Sequence, residues 1–297
     1  MPTDDYPDRP MTAPMDFMPR PSAAFAAAFS EHLDTAIKAA KDSDDAAYRS
    51  STPTANRPAI GAGRLGNECL RAIAYEFHRA PKDGDRGFSG RLYRIFDRGH
   101  WGEEAMARYL RLAGFTLLTE NAAGKQFRYD IAQYEDGKGR VKGMIDGVIT
   151  AGPAMLRLPD GSGFAMRYPL MWENKELGSK SWKKLEKGGL RAYGGDYFPQ
   201  VQMGMFHLGL AENPALFTCK NADTQEIYAE LIPADPAFIQ ASIDKAVRVI
   251  ATADPEELPR VAAKAADFRC KFCDYAARCW REPKPATPEA GAWSFGQ

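Results

Sequence analysis

Long apolar runs are missing from this 297-residue sequence, and that absence argues against a membrane-spanning helix. No stretch approaches the roughly 18 apolar residues that cross a bilayer. The first 20 residues are rich in Pro and Asp and contain no apolar segment of the kind found in secretory signals, so secretion is not expected. We therefore expect a cytoplasmic protein that does not bind membranes.

The sequence also lacks a net charge and a nucleotide-binding loop. Lys and Arg number 39, as do Asp and Glu, so any nucleic-acid site must be a local basic patch. Gly124-Lys125 is followed by Gln126, not Ser or Thr, and lacks the upstream glycine of a P-loop. We therefore do not expect an ATP-driven motor.

Proline is concentrated at the two ends of the chain. Six of the 21 prolines lie in the first 21 residues, and three more lie between residues 283 and 288. Such composition predicts flexible tails at residues 1–21 and 284–297. Residues 22–283, in a chain that is 44% hydrophobic, are predicted to form a single folded domain.

Helix and strand patterns are mixed within residues 22–283, which predicts an α/β fold with helices before, within and after one central sheet. The predicted helices are Ser22–Ala40, Asn67–Arg79, Arg91–Ala113, Ser179–Lys187, Phe198–Leu210 and Asp235–Thr252. The predicted strands are Phe115–Thr119, Lys125–Ala132, Arg140–Thr150, Tyr168–Leu177, Ala215–Cys219 and Glu226–Ile232.

Polar residues interrupt two of these apolar strand patterns. Asp146 lies in one, and Glu173 and Lys175 lie two residues apart in the other, on one face of the strand. Two carboxylates beside an ammonium group would form an oxygen site for Mg²⁺, suited to phosphodiester hydrolysis. The alternatives are a hairpin turn at Asp146-Gly147 and a solvated Glu-Lys ion pair.

The order of an Asp followed by Glu-x-Lys resembles the PD-(D/E)xK nuclease superfamily. Residues 98–104 are similar to an upstream helix of its RecB-like and lambda-exonuclease-like branches, with Glu103 at the matching position. The resemblance implies a restriction-endonuclease-like fold, with helices flanking a mixed sheet. It also implies that Glu103, Asp146 and Glu173 bind Mg²⁺ or Mn²⁺ while Lys175 assists the attacking water.

A second segment, Tyr197-x-x-Gln200-Val-Gln202, resembles the lambda-type branch, in which a helix supplies a glutamine to the site. The resemblance gives that role to Gln200. However, the spacing Gln202-x-x-x-Phe206 fits a variant of the RecB-like branch and keeps Gln202 as an alternative. Because positions two apart on a helix point in nearly opposite directions, only one of the two can face the site.

Cysteine is scarce, and three of the five cysteines lie within ten residues, at Cys270, Cys273 and Cys279. Cys69 and Cys219 are candidates for a fourth ligand. A reducing compartment disfavours disulfides, which leaves a structural Zn²⁺ or an iron-sulfur cluster. Because a zinc ribbon normally has a second Cys-x-x-Cys pair and this chain has none, a cluster is favoured.

The cysteine spacing resembles that of the iron-sulfur RecB-like nucleases, which have one upstream cysteine followed by Cys-x-x-Cys-x5-Cys. The resemblance implies a [4Fe-4S] cluster that closes the fold and leaves Cys219 as a buried thiol. The implied ligands are Cys69, Cys270, Cys273 and Cys279.

A basic run with one tryptophan follows the Glu-x-Lys strand. Its position favours contacts with DNA phosphates and a stacked base over a merely solvated helix face. The predicted DNA contacts are Lys180, Trp182, Lys183, Lys184, Lys187 and Arg191. We also expect Arg91, Arg94 and Arg98 to line the same groove.

The sequence therefore predicts a metal-dependent DNA exonuclease that acts on linear ends or single strands in recombination or end processing. The lambda-like segment resembles phage-type enzymes. Any partner protein in recombination is unknown. Two alternatives are a structure-specific DNA endonuclease and a non-catalytic nucleic-acid-binding module stabilised by zinc. The complete Asp146, Glu173 and Lys175 set argues against the latter.

Overall fold

The computed structural model describes residues 23–51, 58–84, 88–134 and 139–281. Both predicted tails lie outside these described residues. No helix in the described part of the chain is long and apolar enough to cross a membrane.

The described elements follow the predicted order, with several changes of boundary. The helices are α1 Ala23–Ser51, α2 Leu70–Phe77, α3 Gly90–Leu112, α4 Ser179–Tyr193, α5 Tyr197–His207, α6 Pro236–Ala251, α7 Phe268–Lys271 and α8 Ala276–Cys279. The strands are β1 Ile60–Gly61, β2 Thr116–Leu118, β3 Arg128–Tyr134, β4 Gly139–Met144, β5 Gly147–Ala151, β6 Met155–Arg157, β7 Gly163–Ala165, β8 Leu170–Leu177, β9 Ala215–Asn221 and β10 Ile227–Ile232. Two 3-10 helices are Ala62–Gly66 and Pro255–Glu257.

The largest sheet has five strands in the order β10-β9-β8-β5-β2, in which β8 and β9 are parallel and the other neighbours are antiparallel. The fold is thus mixed α/β, with a mixed sheet flanked by helices. The prediction of one central sheet is corrected, because β1, β4 and β3 form a separate three-stranded sheet and β6 and β7 a hairpin.

The predicted strand Arg140–Thr150 is divided between the two larger sheets. Strand β4 ends at Met144, strand β5 begins at Gly147, and Asp146 lies between them. A side chain at Gly147 would lie 2.7 Å from the carbonyl oxygen of Leu118, so glycine permits the close approach of β2 and β5. The apolar pattern of the sequence continues from β4 into β5 because each strand is buried in its own sheet, which is why a single strand was predicted. The division places Asp146 at the junction of the two sheets.

Helices cover both faces of the five-stranded sheet. Along β8, Trp172 packs with Met106 of α3 on one face, whereas Met171 packs with α4 and α5 on the other. Glycine at position 204 allows the close approach of α5, because a Cβ there would lie 2.9 Å from Ile145. Strand β8, which contains Glu173 and Lys175, therefore lies between α3, which precedes it in sequence, and α4 and α5, which follow it.

Helix α2 packs against the C-terminal segment of the described chain. The rings of Tyr75 and Tyr275 lie 5.3 Å apart, and the backbone N–H of Asp83 donates to the carbonyl of Asp274 over 2.7 Å. The Arg71 side chain donates to the carbonyl of Leu258 over 2.8 Å. These contacts join segments nearly two hundred positions apart in sequence.

Candidate active site

Asp146, Glu173 and Lys175 meet at the junction of the two sheets. The backbone N–H of Asn174 donates to Asp146 Oδ2 over 2.7 Å, and Lys175 Nζ donates to the Glu173 carboxylate. Asp146 is 7% exposed and Glu173 is fully buried. Neither alternative interpretation therefore holds, because Asp146 is not in a hairpin turn and the Glu-Lys pair is not solvated.

The site opens into a groove of about 940 Å³ that is lined by both Asp146 and Lys175. Glu103 reaches it from α3 and Gln200 from the first turn of α5. The structure thus brings Glu103 and Gln200 to the same groove as the β8 residues. The groove is acidic, because its lining carboxylates outnumber its lysine and arginine side chains.

Gln202 is on the opposite side of α5 and is fully buried. Its amide donates to the carbonyl of Pro233 over 2.9 Å, and its oxygen accepts from the backbone N–H of Asp235 over 2.8 Å. Its hydrogen-bonding groups are thus used within the fold. Of the two glutamines, Gln200 is the one that faces the groove.

The three carboxyl groups are held close together in a poorly hydrated region, which changes their protonation. Burial and then the Asp146 charge raise the pKa of Glu103 to about 7 and that of Glu173 to about 8. Burial also raises the pKa of Asp146, although Lys175 and the Asn174 N–H oppose it. Burial alone would lower the pKa of Lys175, but Glu173 and Asp146 outweigh it and raise that pKa. Lys175 therefore stays protonated.

One oxygen of this cluster, Glu173 Oε2, is buried and has no hydrogen-bond partner among the described residues. Within the same part of the chain, no three His, Cys, Asp or Glu side chains are arranged to hold a metal ion as they stand. However, Mg²⁺ commonly uses only one or two protein carboxylates and keeps several waters. The Asp146 and Glu173 carboxylates, with this free oxygen, fit such an ion.

Glu176, which the sequence analysis did not single out, joins α3 to the central sheet. Its buried carboxylate lies 3.0 Å from Arg98 Nε and 3.2 Å from Lys220 Nζ. A Cβ at Gly102 of α3 would collide with this carboxylate, so only glycine fits. The contact between Gly102 and Glu176 fixes the position of α3 at the residue next to Glu103. No local sequence signal identifies it, since the three charges come from separate elements.

Aromatic rings cover Lys175 from the α5 side. Lys175 Nζ lies 5.5 Å from the centre of the Tyr197 ring, which stacks on Tyr193 with centroids 5.7 Å apart. Lys184 Nζ in turn lies 4.9 Å from the Tyr193 ring and donates to the Tyr193 carbonyl. The rings favour the charged form of Lys175 and limit its movement.

The prediction that Trp182 of the basic helix contacts DNA is wrong. This residue is 5% exposed and packs in the core with Leu185, so its ring is not available to stack on a base. Lys184 contacts Tyr193, and Arg191 pairs with Asp235 over 2.5 Å. Three side chains of the run remain exposed without an ion pair to a described residue: Lys180, Lys183 and Lys187.

The expectation for the α3 arginines also changes. Only Arg98 lines the groove; Arg94 pairs with Asp34 of α1, and Arg91 is exposed outside the groove lining. The difference arises because α1 covers the first turns of α3, a contact that the sequence pattern does not indicate.

Four of the five cysteines line one cavity, and the fifth lies elsewhere. A cavity of about 410 Å³ between α2 and the C-terminal segment is lined by Cys69, Cys270, Cys273 and Cys279. Cys219 lies elsewhere, fully buried in β9, and burial raises the pKa of its thiol to about 12. Arg71 Nη1 lies 3.8 Å from Cys279 Sγ.

Two further polar atoms at this cavity have no partner. Tyr75 Oη and Trp280 Nε1 are buried without a hydrogen bond to any described residue, and both residues line the cavity. Thiols are soft ligands that select zinc or iron-sulfur clusters, and cluster sulfurs accept hydrogen bonds. The chemistry of the donor set and of these N–H and O–H groups therefore suits a sulfur-ligated centre, although the thiols of the described residues are not arranged to hold a metal ion as they stand.

No protein-family model and no curated protein matches the chain. It is similar to a solved structure of LHK-Exo in complex with dAMP, at 14% identity and a TM-score of 0.43, over 67% of this chain and 89% of that chain. A second structure of LHK-Exo, an alkaline exonuclease from Laribacter hongkongensis, matches at 14% identity and a TM-score of 0.42 over the same shares. These TM-scores describe a partial likeness of folds.

Proposed function

We propose that this protein is a Mg²⁺- or Mn²⁺-dependent deoxyribonuclease that degrades DNA from its ends. The observation that carries the proposal is the assembly of Asp146, Glu173 and Lys175 at one buried junction, open to a groove shared with Glu103 and Gln200. Strand β8, the junction between β4 and β5, and the helices α3 and α5 together supply these five side chains. Their arrangement matches phosphodiester hydrolysis better than a structural ion pair does.

Each residue has a distinct part in that chemistry. Asp146 and Glu173 would hold the divalent ion, with Glu103 reaching it through a water. The ion would stabilise charge on the phosphate and activate a water as the nucleophile. Lys175, kept protonated by its carboxylate neighbours, would offset charge on the phosphate in the transition state. The Gln200 amide can donate to the phosphate or accept from Lys175.

The four-cysteine cavity supports a second part of the proposal, a [4Fe-4S] cluster with Zn²⁺ as the alternative. Cys69, Cys270, Cys273 and Cys279 would hold it. A centre bound there would contribute folding free energy by tying α2 to the C-terminal segment, without taking part in hydrolysis. Iron, sulfide and zinc analysis of anaerobically purified protein separates the two.

The exposed lysines of α4, Lys180, Lys183 and Lys187, remain predicted contacts with DNA phosphates. A role in recombination or end processing is likewise part of the proposal and follows from the exonuclease activity.

End-labelled linear DNA and closed circular DNA, each incubated with the protein and Mg²⁺, test the proposed activity. Degradation of the linear substrate alone is expected. Cleavage of the circle would instead identify an endonuclease, and binding without cleavage of either would identify a non-catalytic module. Lys175→Ala should abolish degradation, whereas the exposed Glu212→Gln should retain it. Full activity in a correctly folded Lys175→Ala protein would contradict the assignment.

A further inference from the structure

A second cavity, of about 510 Å³, adjoins the active-site groove. It lies among α1, the 3-10 helix Ala62–Gly66 and the β3–β4 hairpin. Met144 and Gln200 line both the cavity and the groove, so the two spaces meet at the residue that faces the reaction site from α5. A ligand that extends out of the groove past Gln200 would enter this cavity.

The charge of the cavity is opposite to that of the groove. Among its lining residues, Arg140 is neutralised by Asp130, whose two oxygens accept from the guanidinium at 2.7 and 2.6 Å. Arg128 and Lys142 are exposed and have no ion pair or hydrogen bond from their side chains to a described residue. Among the described residues, the cavity therefore has two positive charges without an ion pair, and it lies beside an acidic groove.

An aromatic ring stands at the same cavity. Tyr48, near the end of α1, is 53% exposed and lines the cavity together with the two basic residues. Free cationic groups next to an exposed ring form the combination that binds single-stranded nucleic acid, because the cations contact phosphates and the ring stacks on a base. No sequence pattern groups these residues, since Tyr48 and Arg128 are 80 positions apart.

The size of the cavity restricts what can enter it. Pockets of roughly 300–1,000 Å³ hold single small-molecule ligands, which corresponds to one or two nucleotides and excludes a duplex. Its position next to Gln200 means that a strand seated there is continuous with the phosphate in the groove.

We infer that this cavity is a binding site for single-stranded DNA. Arg128 and Lys142 hold backbone phosphates of the strand next to the cleaved phosphate, and the Tyr48 ring stacks on one of its bases. The inference rests on the proposed nuclease function and adds to it a single-stranded segment at the active site.

The test is fluorescence anisotropy in EDTA, which prevents cleavage, with labelled oligo(dT) and a labelled blunt duplex as probes. Arg128→Gln/Lys142→Gln should weaken oligo(dT) binding at least tenfold and reduce its logarithmic salt slope by about 1.4, since each single-strand phosphate contact contributes about 0.7. Tyr48→Ala should weaken it about fivefold or more, because it removes a stacking surface. The duplex should lose much less affinity in both variants.

The matched control is Arg157→Gln/Lys264→Gln, which removes one exposed arginine and one exposed lysine outside both spaces. It should leave oligo(dT) binding near the wild-type value. Equal losses in the control, or unchanged oligo(dT) binding in the cavity variants, would overturn the strand site. Equal losses for oligo(dT) and duplex would also overturn it. Wild-type protein that neither binds DNA nor cleaves it would instead contradict the proposed function.

Discussion

The active-site groove and the four-cysteine cavity are built by opposite means. Burial, and then repulsion between neighbouring carboxylates, raises the pKa values of Glu103 and Glu173, so the metal-free fold carries a free-energy cost at the groove. The cavity lies between α2 and the C-terminal segment, where four free thiols line it and Arg71 donates a hydrogen bond to the carbonyl of Leu258. Under the proposed function, one site would lower stability for the sake of chemistry, and the other would supply stability without chemistry.

The largest expected effect concerns activity in the groove. Glu173→Gln should reduce DNA degradation by about 10²- to 10³-fold, because a ligand for the metal is lost. At the same time it should raise the stability of the metal-free protein near pH 8. The measurements are single-turnover degradation and chemical unfolding in EDTA, with Glu212→Gln as the exposed control.

The pH dependence of that stability has a defined sign. Glu103 and Glu173 have folded pKa values of about 7 and about 8, above the ordinary 4.5, so the folded protein retains protons that the unfolded chain has released. Wild-type stability in EDTA should therefore fall as the pH rises from about 5 to about 8. The fall should be shallower in Glu173→Gln. An identical slope in both proteins would contradict the coupling between these carboxylates.

The cysteine cavity should respond in the opposite manner. Cys270→Ser and Cys69→Ser should each lose bound metal and several kcal/mol of stability, because the site would no longer hold α2 to the C-terminal segment. Cys219→Ala, at a buried thiol outside the cavity, should keep the metal. Metal content and thermal unfolding of anaerobic preparations provide the measurement. Metal loss in Cys219→Ala but not in Cys69→Ser would refute the proposed ligand set.

A smaller effect on activity is expected where α3 meets the sheet. Gly102→Ala should slow degradation about 10- to 100-fold, because its Cβ collides with Glu176 and shifts Glu103. Gly99→Ala, on the same helix, places its Cβ where nothing lies within 4 Å and should have a far smaller effect. Comparable losses in the two variants would mean that the contact with Glu176 does not determine the result.

The smallest expected effect is that of Tyr75→Phe on stability, and its sign should depend on whether the metal is bound. In metal-free protein, Tyr75→Phe removes a buried hydroxyl without a partner and should raise stability by about 1 kcal/mol. In metal-loaded protein the same change should lower stability, because a hydrogen bond to a sulfur is lost. Thermal unfolding of both forms measures the difference. The same sign in both forms would show that Tyr75 does not contact the bound centre.

The sequence predicted the parts of the site that depend on local periodicity. Two positions on a strand share a face, which correctly grouped Glu173 with Lys175, and two positions on α5 are opposed, which separated Gln200 from Gln202. Trp182 was misjudged because its basic neighbours outweighed its spacing to Leu185, a three-residue interval typical of a buried helix face.

Contacts between distant elements could not be predicted. Glu176 joins Arg98 and Lys220 only after three elements have packed, and the division of Arg140–Thr150 depends on which sheet each half joins. Local patterns record burial and periodicity but not the identity of the element that provides the burial.

The two buried hydrogen bonds of Gln202 have a consequence for the groove on the other side of α5. They fasten the helix to the chain at Pro233 and Asp235, and so determine its rotation about its own axis. Each residue of a helix turns the chain by about 100°, so an insertion between Gln200 and Gln202 would carry Gln200 away from the groove. The buried Gln202 therefore sets the orientation in which Gln200 faces the groove.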